Sequence, residues 1–409
     1  MRVVIALATL AAATALGVSA APAGGSSDPG VSADKVVLGG TAPLSGVAAA
    51  YASVARGAAA YFGYVNAAGG VAGRQVEYRY LDDAYNPAQT VQATRQLVEQ
   101  DRVFAIFNAL GTEHNEAIRE YLNANKVPQL FSATGATTFG ADAARYPYTI
   151  GFQPSYQAEA WVLGRYLART ASGRKIAVLF QNDSYGKELL AGLKVGLQRS
   201  KVKVVAAQPY EATAADVAGQ IAKLKSSGAD VLAVFATPKF AIQAIVIANK
   251  LGWKPKATIM NAVASASNIM ILASEGNTNP LVEGAVSIVF LKDPTDPQWT
   301  KDKAMVLYRQ IMAQHAAGAN ANDVYHVYGM AVAWATVEAL KKVGTDLTRE
   351  RLVQTVSTMK LTGNPFLLPG IALETNGTAD HFPIEQMLLQ RWSKGSWKSF
   401  GGLWSYRAP

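Results

Sequence analysis

Glycine and threonine stand together directly after a predicted buried strand at residues 103–107. Gly111 and Thr112 immediately precede a helical pattern that runs from Glu113 to Asn125. The first backbone N–H groups of a helix are free to bind a carboxylate, and Gly111 allows close approach while Thr112 adds a hydroxyl donor. The alternative is a tight turn with Thr112 as the helix N-cap, which needs no ligand.

Hydroxyl and aromatic residues also follow other predicted strands. Ser132 and Thr134 come after a strand at 129–131, where they present donors to the same anion or form only a polar loop. Tyr185 opens a helix after the strand at 175–180, where its ring either covers a bound molecule or simply packs. Open α/β sheets bind ligands at the carboxyl ends of their strands, so these positions are binding candidates. Two further candidates of this kind are Thr237 and Asn261.

Common motifs for catalysis are absent from the sequence. There is no P-loop, no Gly-x-Gly-x-x-Gly after a strand, no His-Glu-x-x-His and no Gly-x-Ser-x-Gly. None of the four histidines has a second histidine at helical spacing, which leaves a zinc or general-base site without support. These histidines are His114, His315, His326 and His381. We therefore expect a binding protein rather than an enzyme, with no metal and no cofactor.

The charge pattern bears on possible partners. The net charge is +9, from 38 Lys and Arg against 29 Asp and Glu. The basic residues are scattered among ordinary helical patterns and form no run interleaved with aromatic residues, as nucleic-acid surfaces usually show. We therefore expect no nucleic-acid partner, and we expect a monomer.

The amino-terminal residues have the pattern of an export signal. Met1 and Arg2 precede an apolar stretch at 3–18 and small residues at 19–21, so residues 1–20 are predicted to be a cleaved signal peptide. Residues 21–34 are rich in Gly, Ser, Pro and Asp and are predicted to be a flexible lead-in. The chain has no cysteine, which excludes disulfides and the lipid-bearing cysteine of a lipoprotein signal. These features favour a periplasmic location.

The order of elements predicts the fold class. Strand and helix patterns alternate from residue 35 to residue 150, which predicts a parallel sheet flanked by helices. A second series of the same kind starts near residue 155 and continues to residue 290. Helices follow at 299–358, and a last strand is predicted at 385–391. The 409 residues are enough for two cores, so we predict an α/β protein of two Rossmann-like lobes.

Four short stretches carry a family resemblance when they are taken in order. They are GTAPLSG at 40–46 with Tyr51 behind it, NAAGGVAG at 66–73, DDAYNP at 82–87 and DSYG at 183–186. The chain resembles the branched-chain amino acid binding proteins of periplasmic importers. The resemblance implies the type I periplasmic binding fold, with three crossovers near 150–153, 287–292 and 383. It places lobe 1 at 35–150 with 290–383, and lobe 2 at 153–288 with 384–409.

The resemblance also implies which residues would bind the ligand. In lobe 1 the ligand carboxylate would be held by backbone and hydroxyl groups of Leu110, Gly111, Thr112, Ser132 and Thr134. Tyr51 would lie at the rim of the cleft, and Tyr185 would come from lobe 2 on closure. The loop at 151–156 resembles members that take up aromatic or other organic acids, and Tyr156 would stack on such a ligand or pack in the core.

One departure from the family concerns the ligand's ammonium group. Amino-acid binders of this group hold it with an acidic side chain after the strand predicted at 257–260, whereas this chain has NAVAS at 261–265. A buried ammonium without a partner is costly, so the ligand would lack an amino group unless Glu113 or Asp183 supplies the counter-charge. An acidic side chain lining the cleft would discriminate between these possibilities.

Together these features predict an extracytoplasmic solute-binding protein of an ABC importer. It would capture a small carboxylate-bearing solute, a branched-chain or related amino acid, and deliver it to a permease in the inner membrane. The first alternative keeps this role with an aromatic or keto acid as ligand. The second is a ligand-sensing module of a signalling system, because fold analogy alone supports transport.

Overall fold

The computed structural model describes residues 28–406 and contains two large β-sheets. The predicted signal peptide and residues 21–27 lie outside the described residues. The first sheet has five parallel strands in the order β2-β1-β3-β4-β5. Its strands are β1 Lys35–Ala42, β2 Gln75–Asp82, β3 Ala105–Phe107, β4 Gln129–Ser132 and β5 Thr149–Gly151.

The second sheet has seven strands in the order β14-β13-β10-β9-β8-β6-β7. Strands β6 to β10 are parallel, whereas β13 and β14 form an antiparallel hairpin at one edge. The remaining strands are β6 Lys175–Gln181, β7 Lys203–Tyr210, β8 Val231–Phe235, β9 Ala257–Met260, β10 Val286–Val289, β11 Lys360–Leu361, β12 Leu373–Glu374, β13 Gln386–Ser393 and β14 Ser396–Ser405. Strands β11 and β12 pair only with each other.

The carboxyl-terminal hairpin extends what we predicted from the sequence, which was a single strand at 385–391. Lys394 and Gly395 connect its strands with φ values of 52° and 80°. Positive φ at both central residues is typical of the two-residue turn that matches the twist of a hairpin. Glycine or asparagine usually occupies the first of these two positions, whereas this chain has Lys394 there, so the turn was not apparent from the sequence.

Helices cover both sheets. They are α1 Ala52–Ala67, α2 Pro87–Arg95, α3 Thr112–Ala124, α4 Thr138–Ala141, α5 Tyr156–Thr170, α6 Ser184–Gly196, α7 Ala218–Ser226, α8 Pro238–Lys250, α9 Ser267–Ala273, α10 Lys303–His315, α11 Val324–Val343 and α12 Arg349–Ser357. Strand β8 is entirely buried and apolar, as expected for a parallel strand with helices on both faces. Among the described residues, no helix is long and apolar enough to cross a membrane.

Helix α11 returns to the first sheet, where it packs closely against α1. The crossing depends on glycine, because a Cβ on Gly329 would lie 2.0 Å from the carbonyl oxygen of Val54. A Cβ on Gly57 would similarly lie 2.3 Å from the carbonyl oxygen of His326. After α12 the chain enters the second sheet again through β13 and β14. The chain therefore passes between the two sheets and their helices three times, after β5, after β10 and before β13.

The last residues of the predicted lead-in make specific contacts with the first sheet and α12. The carboxylate of Asp28 accepts the backbone N–H of Arg349 at 2.7 Å. The Arg349 guanidinium in turn donates to the carbonyl oxygens of Val103 and Phe104, both at 2.8 Å. These bonds attach residue 28 to the loop that precedes β3.

Candidate functional site

A cavity of about 690 Å³ lies between the carboxyl ends of the strands of the two sheets. We call it the central cavity. It is lined by eighteen residues: Tyr51, Val54, Tyr85, Leu110, Gly111, Thr112, Ala133, Gln153, Tyr156, Tyr185, Thr237, Ala262, Val263, Phe290, Leu291, Val324, Tyr325 and Tyr328. Its position agrees with the rule that open α/β sheets bind ligands beyond the carboxyl ends of their strands.

The structure places all ten predicted binding residues in or beside this cavity. Those that line it are Tyr51, Leu110, Gly111, Thr112, Tyr156, Tyr185 and Thr237. The other three, Ser132, Thr134 and Asn261, are buried but do not line it. Thr134 lies behind Thr112, with 2.8 Å between their hydroxyl oxygens. The Asn261 amide donates to the Tyr185 hydroxyl at 2.7 Å.

The amino terminus of α3 forms one end of the cavity. Gly111 has a φ of 112°, and a Cβ there would lie 2.3 Å from Nδ1 of His114, so this position requires glycine. Helix α3 begins at Thr112 with Gly111 as its N-cap, and among the described residues no side chain caps the N–H groups of its first turn. The first N–H groups of α3 and the Thr112 hydroxyl are therefore the kind of donors that bind an anion without a cationic side chain.

Tyr156 approaches this end of the cavity from α5. Burial raises the pKa of its hydroxyl, whereas hydrogen bonding by the Thr134 and Thr112 hydroxyls acts in the opposite direction. Its ring meets the ring of Tyr185 edge to face, with 4.9 Å between centroids. The two tyrosines begin α5 and α6, two helices that pack closely against each other, so this contact forms on one side of the cavity.

Aromatic rings make up much of the remaining wall. Six tyrosines and Phe290 line the cavity. Tyr51 and Tyr325 meet edge to face, with 5.1 Å between ring centroids. Tyr325 and Tyr328 of α11 line the cavity but were not predicted from the sequence. Their spacing of three places both on one helix face, which is a signal in the sequence, but nothing there connects α11 with the loops of the first sheet.

None of the residues that line the central cavity carries a charge. Glu113 is exposed at the edge of the cleft, and Asp183 caps α6 by accepting the N–H of Gly186 at 3.0 Å. Glu159 lies nearer, because its Oε1 accepts the N–H of the cavity residue Ala262 at 2.6 Å. Burial raises the pKa of Glu159 to about 8, so this carboxyl favours its neutral form at pH 7.

Hydrogen bonds join groups attached to the two sheets around the cavity. The Tyr325 hydroxyl donates to the carbonyl oxygen of Val263 at 2.7 Å. The backbone N–H and the hydroxyl of Thr137 both donate to Oε2 of Glu188, each at 2.8 Å. Burial raises the pKa of Glu188 to about 7, and the charge of Glu116 acts in the same direction. These contacts hold the two sides of the cleft together.

A second cavity, of about 910 Å³, lies next to the central cavity at the edge of the cleft. We call it the outer cavity. Its walls come from residues 46–47, 84–87, 113–114, 181–183 and 211–213. His114 is buried in this wall, and burial lowers its pKa to about 4. Within residues 28–406, no group of three or more His, Asp or Glu side chains is arranged to hold a metal ion.

Comparisons with known proteins agree with this geometry. A family model described as periplasmic binding protein matches residues 35–396. The Leu/Ile/Val-binding protein homolog 3 of Brucella melitensis is 29% identical over 48% of this chain and 53% of its own length. The leucine-, isoleucine-, valine-, threonine- and alanine-binding protein of Pseudomonas aeruginosa is 26% identical, over 48% and 52%. The chain thus spans about half the length of these curated relatives.

Solved structures confirm the predicted α/β fold with parallel sheets flanked by helices. A branched-chain amino acid ABC transporter protein of Thermus thermophilus with bound valine has a TM-score of 0.81, at 16% identity, over 92% of this chain and 98% of its own. A solute-binding protein of Rhodopseudomonas palustris in complex with 3,4-dihydroxybenzoic acid has a TM-score of 0.74, at 18% identity, over 91% and 98%. With a family model that matches most of its length, the chain belongs to the periplasmic binding proteins, as the resemblance of its sequence motifs predicted.

Proposed function

We propose that this protein captures an organic acid without an amino group, for an ABC importer. The observation that carries the proposal is the absence of any charged side chain among the residues that line the central cavity. An ammonium group moved into that cavity would lose its hydration without gaining a counter-charge, which costs several kcal/mol. The sequence resemblance favours an amino acid as ligand, whereas the geometry of the cavity favours the alternative of an organic acid without an amino group.

Neutral donors are suited to hold the carboxylate of such a solute. The uncapped first turn of α3, the Thr112 hydroxyl and the Tyr156 hydroxyl converge at one end of the cavity. Hydrogen bonds to a charged group contribute about 1.5–3 kcal/mol each, so a few of them can replace a cationic side chain.

The wall of the cavity suits an apolar or aromatic body for the solute. Its rings belong to six tyrosines and Phe290, which favour edge and stacked contacts with another ring. Proteins of similar structure have different ligands: one has bound valine, one is a substrate-binding protein of a fatty acid ABC transporter, and one is in complex with 3,4-dihydroxybenzoic acid. Because the fold does not select among these ligands, the cavity wall is the guide to the ligand of this chain.

The family supports the remaining parts of the proposal. Its members bind small molecules and work with ABC transporters, and membership implies an extracytoplasmic location. In this protein the lobes would be residues 35–150 with 290–383, and 153–288 with 384–409. They would close around the solute by a hinge motion, and the closed form would dock on the membrane permease. The protein itself would catalyse no reaction.

Matched ligand pairs test the absence of an amino group directly. Leucine and 4-methyl-2-oxopentanoate, and likewise phenylalanine and phenylpyruvate, have the same carbon skeleton and differ in the amine. Isothermal titration calorimetry on the full chain should show binding of one or both keto acids and at least about a hundredfold weaker binding of the amino acids. Equal or tighter binding of leucine or phenylalanine would contradict the proposal.

An amino acid remains the second candidate because of Glu159. This carboxyl lies directly behind Ala262, and an ammonium bound beside Ala262 would favour its ionised form. If an amino acid binds, Glu159→Gln should weaken its binding strongly while leaving the binding of the corresponding keto acid almost unchanged. Under the first candidate, the same substitution should change keto-acid affinity little and leave amino-acid binding negligible.

A further inference from the structure

The central cavity and the outer cavity adjoin at a single side chain. Tyr85 is the one described residue that lines both of them. It follows β2 of the first sheet, in a loop that faces the ends of β6 and β7 of the second sheet. Its ring therefore forms the partition between a space of about 690 Å³ and a space of about 910 Å³.

The backbone holds this ring in an unusual conformation. Ala84 and Tyr85 have φ values of 49° and 60°, in the left-handed region that bulky residues seldom adopt. Two carboxylates stabilise the turn, since Asp82 accepts the N–H of Ala84 at 2.9 Å and Asp83 accepts the N–H of Tyr85 at 3.0 Å. Asp83 is itself buried and accepts the hydroxyl of Thr90 at 2.8 Å. These hydrogen bonds hold the turn, and with it the Tyr85 backbone, in this conformation.

Contacts on both sides keep the ring across the passage. It stacks on His114 of α3, with 4.3 Å between ring centroids and 37° between their planes. On the opposite side, the Tyr85 hydroxyl forms a hydrogen bond with Gln181 and lies near the charge of Asp183. Burial and the charge of Asp183 raise the pKa of this hydroxyl, whereas the hydrogen bond with Gln181 lowers it. Asp183 and Gln181 belong to the second sheet and the turn after it, so the ring bridges the cleft.

We propose that Tyr85 determines the length of solute that this protein accepts, by closing the central cavity toward the outer cavity. This inference rests on the function proposed above. A solute shorter than the central cavity fits on one side of the ring. A longer solute that extends toward the outer cavity would have to displace a side chain that is stacked on His114 and held by a hydrogen-bonded turn.

The two cavities also differ in charge. The outer cavity is lined by Glu113, Asp183 and Glu211 and by no Lys or Arg among its described residues, whereas the central cavity is uncharged. A solute whose tail passes the position of Tyr85 would meet negative charge. A tail that ends in an ammonium would be favoured there, and one that ends in a carboxylate would be disfavoured. The charge at the end of the tail therefore reports where the tail lies.

The experiment measures affinity against chain length in the full protein and in Tyr85→Ala. Unbranched acids from butanoate to dodecanoate are titrated by calorimetry. In the native protein, affinity should fall by about tenfold or more beyond one length, because a longer acid would be overpacked against the Tyr85 ring. In Tyr85→Ala that limit should move to longer acids. Tyr85→Phe keeps the ring and should keep the native limit.

Acids that carry a second charged group at the far end of the chain then show whether that end lies in the outer cavity. In Tyr85→Ala, 12-aminododecanoate should bind more tightly than dodecanoate, and dodecanedioate should bind more weakly. The same length limit in the native protein and in Tyr85→Ala would overturn the inference, as would a limit that also moves in Tyr85→Phe. If Tyr85→Ala does not fold, Tyr85→Leu should move the limit by a smaller step. Failure of the proposed function would look different, because the native protein would then bind no acid of any length.

Discussion

At the scale of single residues, the central cavity is built from groups that donate hydrogen bonds without carrying charge. Thr112 is the clearest example, since it begins α3, lines the cavity and shares a hydrogen bond with Thr134. Binding of an anion there depends on the dipole and free N–H groups of the helix as well as on the hydroxyl. The energetic share of each can be separated by substitution.

Thr112→Val removes the hydroxyl while keeping the shape of the side chain. If the Thr112 hydroxyl donates to the ligand carboxylate, acid affinity should fall by about 10- to 150-fold, the equivalent of about 1.5–3 kcal/mol. The same substitution at the exposed Thr345 is the control and should leave affinity unchanged. Calorimetric titration measures both, and an unchanged affinity in Thr112→Val would remove this hydroxyl from the site.

The buried Glu159 should make the stability of the folded protein depend on pH. Burial raises the pKa of its carboxyl from 4.5 to about 8, so between these values the folded protein holds a proton that the unfolded chain has released. The free energy of unfolding should therefore fall as pH rises from about 5 to 8, with a contribution from Glu159 of at most about 1.4 kcal/mol per pH unit.

Glu159→Gln should remove this contribution, because glutamine still accepts the N–H of Ala262 and has no proton to release. Urea unfolding at pH 5, 6, 7 and 8 measures the slope, which should become shallower in the variant, so that the variant exceeds the native stability at pH 8. Glu120→Gln, at an exposed position, should keep the native slope. A native slope in Glu159→Gln would show that this carboxyl is already ionised in the folded protein.

At the scale of secondary-structure elements, the crossing of α1 and α11 supports the cavity wall. Val54 of α1 and Tyr325 and Tyr328 of α11 line the cavity, and the two helices approach closely at Gly57 and Gly329. The distance between the helices therefore sets where the tyrosines of α11 lie. A larger residue at the crossing would move backbone rather than a flexible side chain.

Gly329→Ala should destabilise the protein by about 1–3 kcal/mol, the usual cost of overpacking, because its Cβ would lie 2.0 Å from the carbonyl oxygen of Val54. Gly219→Ala is the matched control, since Gly219 lies in α7 with no atom within 4 Å of an added Cβ. It should raise stability by about 0.5–1 kcal/mol. Thermal unfolding of both variants measures the difference, and equal effects would contradict the packing described at the crossing.

At the scale of the whole molecule, the hydrogen bonds from Thr137 to Glu188 would couple the proposed closure of the cleft to protonation. Thr137 follows a strand of the first sheet and Glu188 lies in α6 beside the second. Burial raises the pKa of Glu188 to about 7 in this structure, and the charge of the half-buried Glu116 of α3 raises it further. Opening would expose Glu188 and return its pKa toward 4.5, so closing takes up a proton between these pH values.

Ligand affinity should therefore decrease as pH rises from about 5 through 7, because the proposed binding mode requires the closed form. Glu188→Gln should flatten this dependence, since its side chain is neutral in both the open and the closed cleft. Titrations with one bound acid at pH 5.5, 6.5, 7.5 and 8.5 provide the measurement. An identical pH profile in the native protein and the variant would show that Glu188 does not titrate on closure.

Much of the fold was predictable because its signals are local. Strand β8 is a short apolar run, and α8 begins with Thr237 and Pro238, so each follows from residues within a few positions. The binding candidates were predictable for a related reason. A residue that follows a parallel strand must lie at the ligand edge of its sheet, whatever the sheet's other contacts are. The assignment of residue ranges to two lobes, and the binding role of each candidate, stay predictions.

The sequence by itself thus determined the alternation of strands and helices, the edge where Gly111, Thr112 and Tyr185 lie, and the loss of an acidic residue after β9. Only the tertiary structure decided what else surrounds that edge. It brought Tyr325 of α11 against Tyr51, Glu159 against Ala262, and Tyr85 between two cavities. The first two pairings join residues more than a hundred positions apart, and the place of Tyr85 depends on loops of both sheets. No local pattern encodes such contacts, because they depend on how complete helices and sheets pack.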